Sequence, residues 1–311
     1  MADAHAGLAV SREFAGMGGT IEVQLVNRGA ADADGIEALF ASYERTMSRF
    51  LPDSELCALN GAAGAPFEAS PVLFDAVRLA LEWARATDGT FDPTLLDELE
   101  AAGYDRSFEQ LAGGVPPRPS PPARHAARWR AIALDETRRA ITVPAGVHID
   151  LGGIGKGFTV DRAIASLGDG ANAMVNASGD LFAAGDGPEG DGWYVGVANP
   201  FEMGHDVAVL RVRDRGVATS GSARRHWTAG DRRYHHLIDP RAGVSSDSDL
   251  LTVTVVAATA TDADVLAKTA YLLGSRDGVR FVEQRDSCAC MAVTLRGDVV
   301  RSRGIDAYET H

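Results

Sequence analysis

The residues best equipped for chemistry lie in the run Asp150-Leu151-Gly152-Gly153-Ile154-Gly155-Lys156-Gly157-Phe158-Thr159-Val160-Asp161-Arg162. It reads as a strand end bearing a carboxylate, then a glycine turn, then the start of a helix. Glycines let the backbone approach a ligand closely, and free N–H groups at a helix start favour phosphate. Two common phosphate motifs are excluded. A Walker loop opens on glycine and closes on Gly-Lys-Ser/Thr, whereas Asp150 holds the opening position and Gly157 follows Lys156. A dinucleotide fingerprint needs Gly-x-Gly-x-x-Gly, whereas Gly153, Gly155 and Gly157 run Gly-x-Gly-x-Gly. The plain alternative is a tight strand-to-helix turn with an incidental lysine.

A second run, Tyr234-His235-His236-Leu237-Ile238-Asp239-Pro240-Arg241-Ala242-Gly243, joins histidine near a strand to a carboxylate and a Pro-Arg turn. Histidine moves protons near neutral pH and arginine holds phosphate, although paired histidines are often structural. In Thr261-Asp262-Ala263-Asp264-Val265-Leu266-Ala267-Lys268-Thr269, a Thr261 N-cap with a carboxylate three residues on accounts for Asp264 as a capping residue. Asp264 and Lys268 also fit a simple i,i+4 surface ion pair. Two further stretches, Ser48 to Leu56 and Thr87 to Thr94, follow apparent helices, and each is readable as a turn and nothing more.

These runs need elements to hold them. Thr20 to Val26 alternates as one opening strand, and Ile36, Leu39, Phe40, Tyr43 and Met47 mark an amphipathic helix. Ser70-Pro71 offers an N-cap with proline at the first helical position, Phe74, Val77, Leu81 and Ala84 continue an apolar stripe, and Asp88-Gly89 ends it. The Gly/Pro-rich stretch from Gly113 to Pro122 reads as a stiff exposed loop. Trp129 to Leu134 and Ala140 to Val143 read as a hairpin. Beyond it, strands are expected at Ala173–Asn176, Trp193–Val197, Val207–Val212, Leu251–Val256 and Cys290–Leu295. Helices are expected at Lys156–Leu167, Asp262–Leu273 and Gly278–Gln284. Strands joined by short turns with only some helices between them indicate α+β rather than a doubly wound parallel sheet.

Composition narrows the function classes. In 311 residues, 45% are hydrophobic, enough for a sizeable core. A formal charge of −13 disfavours nucleic acid and anionic membranes as general partners. No apolar run approaches the roughly 20 residues of a membrane helix. Met1 to Phe14 lacks a secretory signal, and there is no lipoprotein cysteine, so a cytoplasmic protein is expected. Cys57, Cys288 and Cys290 have no metal-binding spacing, and the last two read as small core residues facing one way on a strand.

Taken together and in order, five motifs resemble the ApbE family, the FAD:protein FMN transferases, over nearly the whole chain. They are the Ser-x-aromatic-x-x-x-Ser-Glu segment from Ser48, Asp-Gly-x-Phe-Asp-Pro-Thr from Asp88, Asp-Leu-Gly-Gly-Ile-x-Lys-Gly from Asp150, Ala-Thr-Ser-Gly at Ala218 to Gly221, and His-x-Ile-Asp-Pro-Arg-x-Gly from His236. The resemblance implies a single ApbE-like domain over 1–311. Its parts would be an N-terminal helical lobe (1–112), the Pro-rich loop (113–124) and a C-terminal α+β lobe (125–311). FAD would sit between the helical lobe and a mixed, mainly antiparallel sheet. The implied reaction moves FMN from FAD onto a Thr or Ser hydroxyl of a target protein and releases AMP. Some members instead hydrolyse FAD to FMN and AMP, and a non-catalytic FAD-binding protein is the third reading. Target sites in the family resemble Ser/Thr-Gly-Ala-Thr/Ser, a run this chain lacks. By motif position, Met17, Phe50, Thr90, Phe91, Asp92, Asp150, Lys156 and Ile238 match FAD contacts, and His236 matches the catalytic histidine.

The family's Mg²⁺ is implied at the Gly153 carbonyl, at Asp264 and at a hydroxyl one turn later. There the chain departs: Lys268 occupies the third ligand position, and an ammonium cannot ligate a metal. Thr269 is about 100° around the helix and replaces it poorly. Either Mg²⁺ is held weakly by the other ligands or the Lys268 ammonium stands in for the cation. Two smaller departures are Ala242 at a position usually Thr, and Gly18 where the Met of Met-Gly-Thr falls, so that Met17 is matched beside it.

Overall fold

The computed structural model describes residues 9–108, 127–229 and 232–310. The Pro-rich loop lies outside them. The chain opens with a hairpin, β1 (Ala9–Gly16) and β2 (Gly19–Val26), turned by Met17 and Gly18 at φ 50° and 70°. Positive φ at both central residues is what a type I′ hairpin turn requires. Helix α1 (Ala30–Met47) buries Ala33, Ile36, Phe40 and Met47, while Leu39 and Tyr43 of the expected stripe are half-buried. Then come α2 (Glu55–Gly61), β3 (Phe67–Glu68) and α3 (Pro71–Ala86). Ser70 caps α3 by accepting the Leu73 N–H at 3.3 Å, and Pro71 needs no such partner. After α4 (Leu96–Ala101), a short hairpin pairs β4 (Ala133–Asp135) with β5 (Ala140–Thr142). Trp129 is in a single 3₁₀ turn before this hairpin rather than in its first strand.

The remaining elements are α5 (Gly155–Ser166), β6 (Ala173–Ala177), β7 (Asp180–Ala184), β8 (Trp193–Ala198), β9 (Asp206–Val212) and β10 (Arg215–Gly221). Two small pairs follow, β11 (His226–Ala229) with β12 (Arg232–His235) and β13 (Ile238–Asp239) with β14 (Val244–Ser245). The chain closes with β15 (Leu250–Ala257), α6 (Ala260–Glu283), β16 (Ala289–Thr294) and β17 (Val299–Arg301). Gly274, at φ 83°, interrupts α6 where the sequence separates two helices.

One eight-stranded sheet runs β1-β2-β6-β7-β10-β15-β16-β17. Every neighbouring pair is antiparallel, so the parallel component expected of a mixed sheet does not occur. The fold class is α+β, as expected. Helices α1, α5 and α6 pack on one face, through residues such as Phe40, Val160 and Leu266. The β8–β9 hairpin covers the other with Trp193, Val197 and Leu210. The opening hairpin pairs with β6 and so belongs to this sheet rather than to a helical lobe. Helices α2 and α3 and the loops around them build a separate core of Leu56, Leu73, Leu81, Phe91 and Trp129 above α5. Among the described residues, no helix is long and apolar enough to cross a membrane.

Candidate active site

A cleft with about 1270 Å³ of empty space, open mouth included, lies where that upper core meets α5, α6 and the β10–β13 loops. Met17, Phe50, Thr90, Phe91, Asp92, Asp150, Gly153, Lys156, His236, Ile238 and Lys268 all line it. Asp264 is buried just behind, in contact with Lys268.

Local chemistry explains how each residue arrives. The I′ turn presents Met17, whose N–H donates to Glu44 Oε1 at 3.0 Å, and Arg225 reaches across to donate to the Gly18 carbonyl at 3.2 Å. Asp88 and Gly89, at φ 48° and 77°, turn the chain after α3 and deliver Thr90 and Phe91. Phe91 is buried, and its N–H donates to Thr87 Oγ1. Asp92 accepts from the Thr94 N–H at 2.8 Å and from the Thr94 hydroxyl. Burial raises its carboxyl above the ordinary value, and the Thr94 bonds oppose that.

Residues 147–150 form a loop rather than the expected strand end, held by Asp150 N–H donating to the Pro93 carbonyl at 2.8 Å. Helix α5 begins at Gly155 without a side-chain cap. Gly157 lies flat against α6, since a Cβ there would come within 2.7 Å of the Ala260 carbonyl oxygen. It serves helix packing, not a ligand. At Gly153, Lys268 Nζ and Phe91 fill the space a side chain would take.

Two ion pairs underlie the cleft. Lys156 pairs closely with Asp180, at the start of β7. Lys268 Nζ donates to the Gly153 carbonyl at 2.9 Å and meets Asp264 Oδ1 at 3.4 Å. Both partners of the second pair are largely buried, with side chains 16% and 5% exposed, so it is not a surface pair. Burial, reinforced by nearby Asp180, raises the Asp264 carboxyl to about 6 against the pull of Lys268 and Lys156. Asp264 Oδ2 is buried with no hydrogen-bond partner among the described residues. Asp264 is also not a capping residue. Thr259 caps α6 by accepting the Asp262 N–H at 3.0 Å, while the Thr261 hydroxyl donates to Asp161.

These positions do not fit a divalent metal as they stand. Mg²⁺ requires oxygens at about 2.0–2.1 Å in octahedral array. The two oxygens proposed to ligate it, Gly153 O and Asp264 Oδ1, both face an ammonium instead.

The adjacent histidines separate cleanly. His235 is buried, with Nε2 against the Ser246 carbonyl at 3.0 Å and Nδ1 facing the Leu237 N–H at 3.3 Å. That uses both ring nitrogens. His236 lines the cleft, and Nδ1 makes only a long 3.5 Å contact with the Arg225 carbonyl. Burial first, then the charges of Arg225 and Lys268, push its imidazole well below the ordinary value, so it is neutral at neutral pH.

Sequence reasoning missed three participants. Asp180 follows a Ser178-Gly179 turn with positive φ at both residues, a signal visible only once β6 and β7 pair. Arg49 meets Asp150 Oδ1 at 3.1 Å, while its guanidinium lies 4.1 Å from the Phe50 ring centre and 4.6 Å from that of Tyr104. Arg225 shares the mouth with these. Tyr104, which lines the cleft, packs against Trp227, and Trp227 stacks on Tyr234.

An α+β sheet protein with a charged, aromatic-walled cleft is the class that fold and site define. The chain belongs to the ApbE family, whose profile matches residues 17–292. It is similar to the FAD:protein FMN transferase of Treponema pallidum, 32% identical over 269 residues covering 78% of this chain and 72% of that one. The Klebsiella pneumoniae protein of the same name is 27% identical, covering 92% and 89%. Two solved structures share the fold. The Thermotoga maritima ApbE protein has a TM-score of 0.87 at 24% identity, over 98% of this chain and 100% of that one. The Pseudomonas stutzeri flavinyl transferase ApbE has a TM-score of 0.82 at 22% identity, over 97% of each.

Proposed function

We propose that this protein is an FAD:protein FMN transferase that moves FMN from FAD to a Ser or Thr hydroxyl of a target protein. The observation that carries the reading is the convergence on one cleft of residues from four of the five motifs, together with Met17 and Lys268, within a chain of this family. Phosphoryl transfer asks a protein mainly for positioning and charge stabilisation. Phe50, Phe91 and Ile238 supply apolar surface for the flavin or adenine rings, and Met17 closes the edge. Asp150, steadied by Arg49 and by the Gly152 N–H, accepts from ligand hydroxyls, while Thr90 and Asp92 set the loop beside them. Lys156 keeps positive charge near the phosphates.

In the transfer, the acceptor hydroxyl oxygen bonds to the FMN phosphorus as that phosphorus loses its bridging oxygen, which leaves with AMP. The hydroxyl proton passes to His236 Nε2 and from there to water. A neutral imidazole with Nδ1–H turned to the Arg225 carbonyl leaves Nε2 free for that proton.

The test incubates the protein with FAD and a purified acceptor carrying a Ser/Thr-Gly-Ala-Ser/Thr run, reading flavin on the acceptor by mass spectrometry and AMP by chromatography. His236→Ala should slow transfer by about 10²–10⁴-fold. Full transfer by His236→Ala with loss in a folded His235→Ala would assign the proton to the wrong histidine. FMN and AMP without a modified acceptor would make the protein a hydrolase, and intact bound FAD alone a binding protein.

A further inference from the structure

We infer that Lys268 is a built-in cation of this site, holding the place of a divalent metal so that FAD chemistry here is metal-independent. The inference rests on the transferase reading for its ligand, but its geometry stands apart from it. Nζ lies 2.9 Å from the Gly153 carbonyl and 3.4 Å from Asp264 Oδ1. An ion coordinated by both oxygens at about 2.1 Å would overlap the ammonium and meet its charge. An ammonium has three donors. Two are directed at those oxygens, and the third is left for a ligand, since Lys268 itself lines the cleft. The Asp264 carboxylate neutralises part of that charge from behind. Its Oδ2 is buried and unpartnered among the described residues, so the carboxylate's hydrogen bonding is directed through Oδ1 toward the ammonium.

The consequence is chemical. A fixed ammonium offers one charge and directional hydrogen bonds, whereas Mg²⁺ offers two charges and ordered oxygen ligands. The site therefore neutralises the FAD pyrophosphate less completely than a metal would. In exchange, it needs no metal and no assembly step. Its ligand is the same dianionic pyrophosphate, met by Lys268 from α6 and Lys156 from α5.

The experiment uses Mn²⁺ as the probe ion. Electron paramagnetic resonance titrations of Mn²⁺ into the wild type and into Lys268→Thr, each without and with FAD, read the site directly. FAD transfer is then measured in EDTA and in excess Mg²⁺. The wild type should show no stoichiometric Mn²⁺ site and equal transfer in both media. Lys268→Thr restores an oxygen ligand, so it should gain one Mn²⁺ site and an Mg²⁺ stimulation on the order of tenfold or more. A stoichiometric Mn²⁺ site in the wild type, or transfer abolished by EDTA, overturns the inference. So does a folded Lys268→Thr that binds no Mn²⁺. If neither protein turns over FAD, the transferase reading fails, while the Mn²⁺ titration still decides the role of the lysine. The wild-type titration stands even if Lys268→Thr does not fold.

Discussion

Lys156 and Lys268 both line the cleft and both meet a buried aspartate, yet one pair spans two elements and the other lies within a single helix. Lys156 comes from the first turn of α5 and finds Asp180 at the start of β7, 24 residues away. The fold must bring them together, and once it does the contact is close. Asp264 and Lys268 are neighbours by helix repeat alone. Their contact is longer at 3.4 Å, because the ammonium turns toward Gly153, which is 115 residues distant. Local spacing therefore brings Lys268 to Asp264 but does not by itself fix where its ammonium is aimed. What each lysine has left to offer a ligand is set by its distant neighbours.

The largest test of this contrast is Lys156→Ala. It strands Asp180, which is 4% exposed, and removing one partner of a buried pair typically costs about 3–5 kcal/mol. Urea denaturation of Lys156→Ala beside Lys268→Ala measures the difference. A larger loss in Lys268→Ala would invert the ranking of the two pairs.

A more selective test is pH. His236 faces the charges of Arg225 and Lys268, and burial together with those charges holds its imidazole well below the ordinary value. Removing a positive charge raises that value. The base acts when neutral, above its pKa, so the acid limb of kcat/KM should move to higher pH in Lys268→Met. It should move less in Lys156→Ala, because the largest charges acting on His236 are those of Arg225 and Lys268. Equal movement in both variants would erase the distinction. The same histidine also affects stability. Its folded pKa is depressed, so the unfolded chain binds more protons as pH falls below the ordinary 6.5, and the folded state loses stability there.

The smallest effect concerns the frame that aims Lys268. Thr259→Ala removes the cap of α6 and should cost about 1 kcal/mol. Its effect on FAD affinity should be far smaller than that of Lys268→Met, a comparison that calorimetry makes directly.

Much of the frame was legible from local signals. The Ser70-Pro71 start of α3, the α1 stripe and the break at Gly274 each follow from residues within a few positions of one another. Strand β10 was not legible as a strand, although Ala218 to Gly221 stood out as a motif. Apart from Arg215 its residues are small or β-branched and show no alternation, and its glycines are needed because Gly216 and Gly221 lie against the backbone of Thr259 and Leu251. The cap of α6 lies at Thr259, two residues before the Thr261 that local residue types favour, since Thr261 spends its hydroxyl on Asp161 across the α5–α6 contact.

The sequence by itself determined the α+β class, the amphipathic helices and which residue types are available for chemistry, because helix and strand periodicity and capping act over a few residues. It also put an ammonium where a threonine was expected. Only the tertiary structure decided that His236 rather than His235 faces the cleft, that Lys156 belongs to Asp180, and that Lys268 closes on the Gly153 carbonyl. Those outcomes depend on burial and on contacts between residues far apart in the chain, where a side chain's partner is chosen by how the layers pack.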